Sequence, residues 1–145
     1  MAKRHLGNKN VEHDTRKVRT MIPQWIYLSS PLTSTSWDGD SFSTTAKTII
    51  DLSSVFSAPA GIKAILVTVQ CRDSGSAAGT AWAGLSPNNT AGSALRCRCS
   101  GLANSTRAEN CLVVPCDANG DVYYQLAATG ASTLDVWIEI WGYAI

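Results

Sequence analysis

Between Thr133 and Tyr143 apolar and polar residues alternate, with Leu134, Val136, Ile138 and Ile140 on one face and Asp135, Trp137, Glu139 and Trp141 on the other. A period of two is the mark of a β-strand with one buried face. Branched aliphatic side chains at that spacing leave water together only by lying on a core. The second face joins two Trp to two carboxylates, too aromatic for a solvated surface and too charged for an interior. It is expected to meet another subunit, a neighbouring protein or a sugar. A strand this late in the chain suits insertion between strands already formed.

The same reading from Pro31 onward predicts short strands separated by turns and no amphipathic helix. Expected strands are Thr44 to Asp51, Ile62 to Arg72, Thr80 to Leu85, Ala94 to Ser100, Cys111 to Cys116, Val122 to Ala128 and Thr133 to Tyr143, with a helical turn at Leu52 to Phe56. Strands at this spacing predict an all-β fold, a single β-sandwich or jelly roll. Pro59-Ala-Gly61 and Ser86-Pro-Asn-Asn89 read as reversals, and Asn119-Gly120 reads as a type I′ hairpin pair. Pro23 marks the start of Trp25-Ile-Tyr-Leu28, an anchor or early strand. The division expected is an extended basic arm over residues 1–30 and a sandwich over residues 31–145. No internal repeat is visible.

Composition narrows this picture. At 145 residues and 45% hydrophobic, the chain can build one domain with a real core, and a second would lack apolar surface. Charged residues make up 16%, below the roughly 25% of an average soluble protein. No apolar run reaches the roughly 18 residues that span a bilayer, and the first twenty residues lack the apolar stretch of a signal peptide. Neither a membrane span nor export by a signal peptide is expected. The net charge of +1 conceals an asymmetry: Lys3, Arg4, Lys9, Arg16, Lys17 and Arg19 against Glu12 and Asp14 make the start of the chain basic and leave the rest acidic. So polar a segment buries too little to offset its ordering entropy and should be flexible by itself. It is either a solvated tail or an arm that orders along an acidic groove of a neighbouring subunit. Its charges are interleaved with acids and its aromatics, Trp25 and Tyr27, come only afterwards, so nucleic-acid binding is not expected.

The string Asp117-Ala-Asn-Gly-Asp-Val-Tyr-Tyr-Gln-Leu-Ala127, followed by Leu134 to Tyr143, resembles the C-terminal β-domain of tailed-bacteriophage tail-fibre and related virion proteins. So does Asp51-Leu-Ser-Ser-Val-Phe-Ser-Ala-Pro-Ala-Gly-Ile-Lys-Ala-Ile-Leu-Val67. The likeness covers Pro31 to Tyr143. It implies a small sandwich, often trimeric, carried on the virion as a fibre, adaptor or decoration and assembled in the host cytoplasm. The expected role is a tail-fibre, tail-appendage or adaptor protein that docks on other virion proteins by its arm, with Trp25 and Tyr27 included, and oligomerises through its β-domain. The alternatives are a capsid decoration (cement or head-fibre) protein and a head that binds a host receptor or surface glycan. A homotrimer or other closed ring is expected, since Trp137, Trp141 and Tyr143 on the non-core face need cover, with Asp135 and Glu139 paired to basic groups or at the wet rim.

Chemistry is not expected, nor any cofactor. The five cysteines lack the Cys-x-x-Cys spacing of zinc knuckles and have no neighbouring histidine. They read first as small apolar strand residues, and disulfides in a phage protein would have to form after lysis. Asp117-Ala-Asn-Gly-Asp121 resembles half of a calcium loop without its closing glutamate, so it reads as a turn. Trp37 with Asp38 and Asp40, and Trp82, are candidate glycan contacts, with a loop anchor as the competing role for Trp37. Asp135 and Glu139 share a face but lie about 13 Å apart along a strand, too far for a glycosidase pair. His5 and His13 sit in the arm, where no rigid shell holds an imidazole for catalysis.

Overall fold

The computed structural model describes residues 22–145, so the basic residues of the expected arm lie outside the described residues. Among the described residues nine strands form two antiparallel sheets packed as a sandwich. In chain order they are β1 (Trp25–Leu32), β2 (Asp38–Phe42), β3 (Thr48–Ile50), β4 (Ala64–Asp73), β5 (Trp82–Ser86), β6 (Leu95–Arg98), β7 (Ala108–Pro115), β8 (Val122–Ala127) and β9 (Leu134–Ala144). A 3₁₀ turn over Thr35–Trp37 separates β1 from β2, and helix α1 (Leu52–Phe56) follows β3.

The first sheet runs β1-β9-β4-β7, with β2 on the same edge of β9 as β1. The second runs β3-β8-β5-β6. The last strand is therefore central, hydrogen-bonded to β4 along one side and to β1 and β2 along the other. Its aliphatic face is buried as the alternation demands, with Leu134, Val136, Ile138 and Ile140 each at most 3% exposed. Ile65, Val67, Val69 and Cys71 of β4 lie beside them. The second sheet contributes Val122, Leu126, Ala83, Leu85, Leu95, Cys97 and Cys99 to the same core. Burial of this apolar surface, at about 25 cal/mol per Å², is what joins the sheets.

Three elements depart from expectation. β1 begins at Trp25, so the boundary expected at residues 30/31 falls inside a strand, and Trp25 and Tyr27 belong to the sandwich. β2, whose Asp-Gly-Asp sequence has poor strand propensity, is extended because β9 pairs with it. Asn119-Gly120 does not close a hairpin, because β7 and β8 belong to different sheets. That turn is a sheet-to-sheet crossing, tied by the Asp117 carboxylate accepting from Asn119 N (2.8 Å) and Asp121 N (3.0 Å). Gly120 has φ +94°, and a Cβ there would lie 2.8 Å from the Gly61 and Ile62 nitrogens.

α1 is short but capped at both ends. Asp51 accepts from Ser54 N (3.0 Å), and Ser57 closes the turn in a left-handed conformation, donating to Leu52. Leu52 and Phe56 then plug the end of the core. Asp73, at the far end of β4, is a fully buried carboxylate. It accepts from Gly75 N (2.7 Å), Thr129 N (3.0 Å), Thr133 Oγ1 (2.9 Å) and the Thr129 hydroxyl, tying β4 to the β8–β9 connection. Burial pushes its pKa up, but the bonds from Thr129, Gly75 and Thr133 outweigh that and hold it below its ordinary value.

Candidate assembly surface

The outer face of the first sheet follows from the register. In antiparallel pairs, directly opposed residues point to the same side. Opposite the core-facing odd residues of β4, its even residues align with neighbours in rows across the sheet. Two rows at one end read Pro115–Ala64–Ala144–Trp25 and Val113–Leu66–Gly142–Tyr27. Their only ionisable side chain is the Tyr27 phenol. The middle row is Cys111–Thr68–Glu139. At the other end stand Glu109–Gln70–Trp137–Asp38 and then Arg72–Asp135–Ser41. One face thus has an aromatic end and an ionic end.

The aromatic end is open. Trp25 and Tyr27, two apart on β1, stack with ring centroids 6.3 Å apart. Tyr27 is 72% exposed and Val113 45%. Gly142 lets β1 approach, because a Cβ there would lie 2.9 Å from the Ile26 carbonyl oxygen and 3.6 Å from the Tyr27 ring. Trp141, also exposed, sits in a β-bulge where Leu66 pairs with Gly142 but Val67 pairs with Ile140. Ile22 and Ile145, both exposed, adjoin this end, where Gln24 and Ile145 exchange backbone hydrogen bonds.

The ionic end is closed by its own chain. The Arg107 guanidinium lies 3.9 Å from the Trp137 ring centroid and Arg72 lies 5.4 Å from it. Arg72 bonds Asp135 at 2.7 Å, Ser41 donates to the same carboxylate at 2.7 Å, and Arg107 donates to Gln70 at 3.0 Å. Gly39, at φ +93°, leaves room for the indole, since a Cβ there would come 2.9 Å from it. Trp137 is consequently half-buried.

The residues expected to share one interface are therefore divided. Asp135, Trp137 and Glu139 lie toward the ionic part of the face and Trp141 at the aromatic end. Tyr143 does not belong with them. The bulge at Trp141 shifts the alternation, so Tyr143 pairs with core-facing Ile65 and packs against the core. The expected glycan contacts are dispersed as well. Trp37 is buried at 6% exposure, stacked on Phe42 (5.1 Å) and edge-on to Tyr124 (4.8 Å), and so presents no ring to a sugar. Asp38 and Asp40 stay exposed on β2. Trp82 lies on the outer side of the second sheet, with Arg96 stacked 4.1 Å from its ring. Lys3, Arg4, Lys9, Arg16, Lys17 and Arg19, with both histidines, fall outside the described residues.

Leu66, Val113, Arg72 and Arg107 were not picked out from the sequence. Their roles depend on cross-strand register, and the only trace in the sequence is the Glu109, Cys111, Val113 alternation of β7. Among the described residues no three His, Cys, Asp or Glu side chains are grouped to hold a metal ion, and no helix is long and apolar enough to cross a membrane. No protein-family model matches this chain, and no curated protein matches it.

Proposed function

We propose that this chain is a structural component of a bacteriophage virion, a tail-fibre, tail-appendage or adaptor protein that docks through its basic N-terminal segment and oligomerises through its sandwich. The observation that carries this reading is the open aromatic end of the first sheet. Trp25, Tyr27, Leu66, Val113 and Trp141 lie together there without a charged residue in their rows. Patches of this kind mark surfaces that other proteins cover. The resemblance of Asp117 to Ala127 and Leu134 to Tyr143 to tail-fibre β-domains supplies the class of assembly, a closed ring and in particular a trimer. The described chain begins beside the same patch, where Gln24 pairs with Ile145. Docking and oligomerisation would thus use adjacent surfaces.

The test has two arms. Sedimentation of the purified chain at micromolar concentration is expected to show a closed oligomer that Tyr27→Lys and Val113→Lys dissociate. Deleting residues 1–22 is expected to leave the sandwich folded while abolishing incorporation into virions. A wild-type monomer together with virion incorporation of the truncated chain overturns the reading. Electron microscopy of labelled virions separates an appendage of the tail from a decoration of the capsid.

A further inference from the structure

We propose that Cys71 and Cys97 are an oxidation site, a thiol pair held across the interior between the two sheets that a small-molecule disulfide such as oxidised glutathione converts into an inter-sheet disulfide. The inference does not depend on the function proposed above. Cys71 projects from β4 of the first sheet and Cys97 from β6 of the second, and their sulfurs are 3.5 Å apart. Both are buried, at 0% and 1% exposure. β4 and β6 carry Cα atoms within 8 Å of each other, and a disulfide spans Cα atoms up to about 7 Å apart, so the bridge draws β6 slightly toward β4 as the sulfurs close to bonding distance.

The other cysteines are less well placed. Cys99 directs its thiol to the Ala81 carbonyl at 3.7 Å. Cys111 is exposed on the outer face of β7. Burial, reinforced by Asp117 and Asp121, pushes the Cys116 thiol up to about 12, and beyond the end of β7 it has no thiol beside it among the described residues. Within the pair, Cys71 donates its thiol hydrogen to the Cys97 sulfur, which favours the thiolate at Cys97, and Cys97 lies on the edge strand, so Cys97 is the first nucleophile. Because β6 is a short edge strand of the second sheet, the proposed exchange needs only this edge, with Leu95 and Cys97, to open locally.

The chemistry balances as two exchanges. The Cys97 thiolate attacks one sulfur of oxidised glutathione, forming a mixed disulfide and expelling one glutathione thiolate. Cys71 then loses its proton to that thiolate or to water and attacks the Cys97 sulfur, expelling the second glutathione. Two protein thiols are oxidised and one small disulfide is reduced to two thiols. The bridge closes a loop between positions 26 apart in sequence, restricting the unfolded chain and raising Tm by about 10 °C.

The experiment incubates the full chain with oxidised glutathione, alkylates the remaining thiols and maps linked peptides by mass spectrometry. Expected are a Cys71–Cys97 linked peptide with loss of two hydrogens, alkylated Cys99 and Cys116, exposed Cys111 alkylated or carrying glutathione, and a Tm gain that dithiothreitol reverses. Cys99→Ala and Cys111→Ala should keep the linkage, and Cys97→Ala should lose it together with the Tm gain. Cys71 and Cys97 still alkylated or carrying glutathione after prolonged incubation, or a linkage of Cys71 to Cys99 instead, overturns the proposal. Because the linked peptide is read on the unmutated chain, a variant that fails to fold does not decide the outcome.

Discussion

The two ends of the first sheet's outer face contain the same kind of residue in opposite situations. At the ionic end Trp137 has Arg72 and Arg107 on its ring and Gly39 against its edge. At the aromatic end Trp25 and Tyr27 have mainly each other, and Tyr27 remains 72% exposed. An aromatic residue on an outward face is thus not in itself a sign of an interface. What distinguishes the ends is whether the chain supplies its own cover. A cation on an indole contributes about 0.5–1 kcal/mol at an exposed site and, by occupying the ring, removes it from contact with a partner.

The largest effect is expected beneath the ionic end, at Asp73, which follows Arg72 on β4. Asp73→Ala removes the shared acceptor of four half-buried donors and is expected to cost about 3 kcal/mol in denaturant unfolding. The carboxylate also predicts a pH dependence. Its folded-state pKa lies below its unfolded value, so its contribution is complete above the ordinary Asp pKa of about 3.9 and is lost as the pH falls through the folded value. Unfolding measured at pH 6 and pH 3 should show a loss on acidification that Asp73→Asn reduces.

Next is Gly142→Val, which sets a side chain against the Ile26 carbonyl and pushes β1 off β9. It is expected to cost about 3 kcal/mol and to abolish self-association, because the aromatic end is built on that contact. Gly39→Ala, strained by its positive φ and crowded by Trp137, is expected to cost about 2 kcal/mol, and a red-shifted tryptophan emission should report the displaced indole. Self-association should survive that change.

The smallest effects on stability sharpen the contrast most. Arg107→Ala uncovers one side of Trp137 and is expected to cost about 1 kcal/mol in unfolding with no change in oligomer size. Tyr27→Lys should alter stability by less than about 0.5 kcal/mol, since little of the side chain is buried, yet weaken association at least about tenfold. Unfolding and sedimentation run on both variants check the pair. Equal effects of the two on association would erase the distinction between the ends.

Much of the architecture was legible in the residues. The period of two in Leu134 to Ile140 identified both the strand and its buried face, and the strand-and-turn rhythm from Pro31 onward identified a sandwich. β2 was not legible, because Asp38-Gly-Asp40 has no strand propensity of its own and is extended only by pairing with β9. Nor was the inward turn of Tyr143. A strict alternation from Leu134 puts it with Trp141, and only the bulge opposite Leu66 and Val67 reverses it.

Local sequence determined what depends on neighbours in the chain: the alternation that buries one face of β9, the Asp51 cap of α1, and the glycine that the turn before β8 requires. These follow from backbone sterics and from the partition of apolar side chains out of water, which act within a few residues. Tertiary structure alone decided which outward aromatics are covered. Arg107 reaches Trp137, Gly142 admits Tyr27, and Cys71 meets Cys97 only because strands distant in sequence are brought into register. Hydrogen bonding between strands sets that register, and with it whether an exposed ring meets a guanidinium, another ring or solvent.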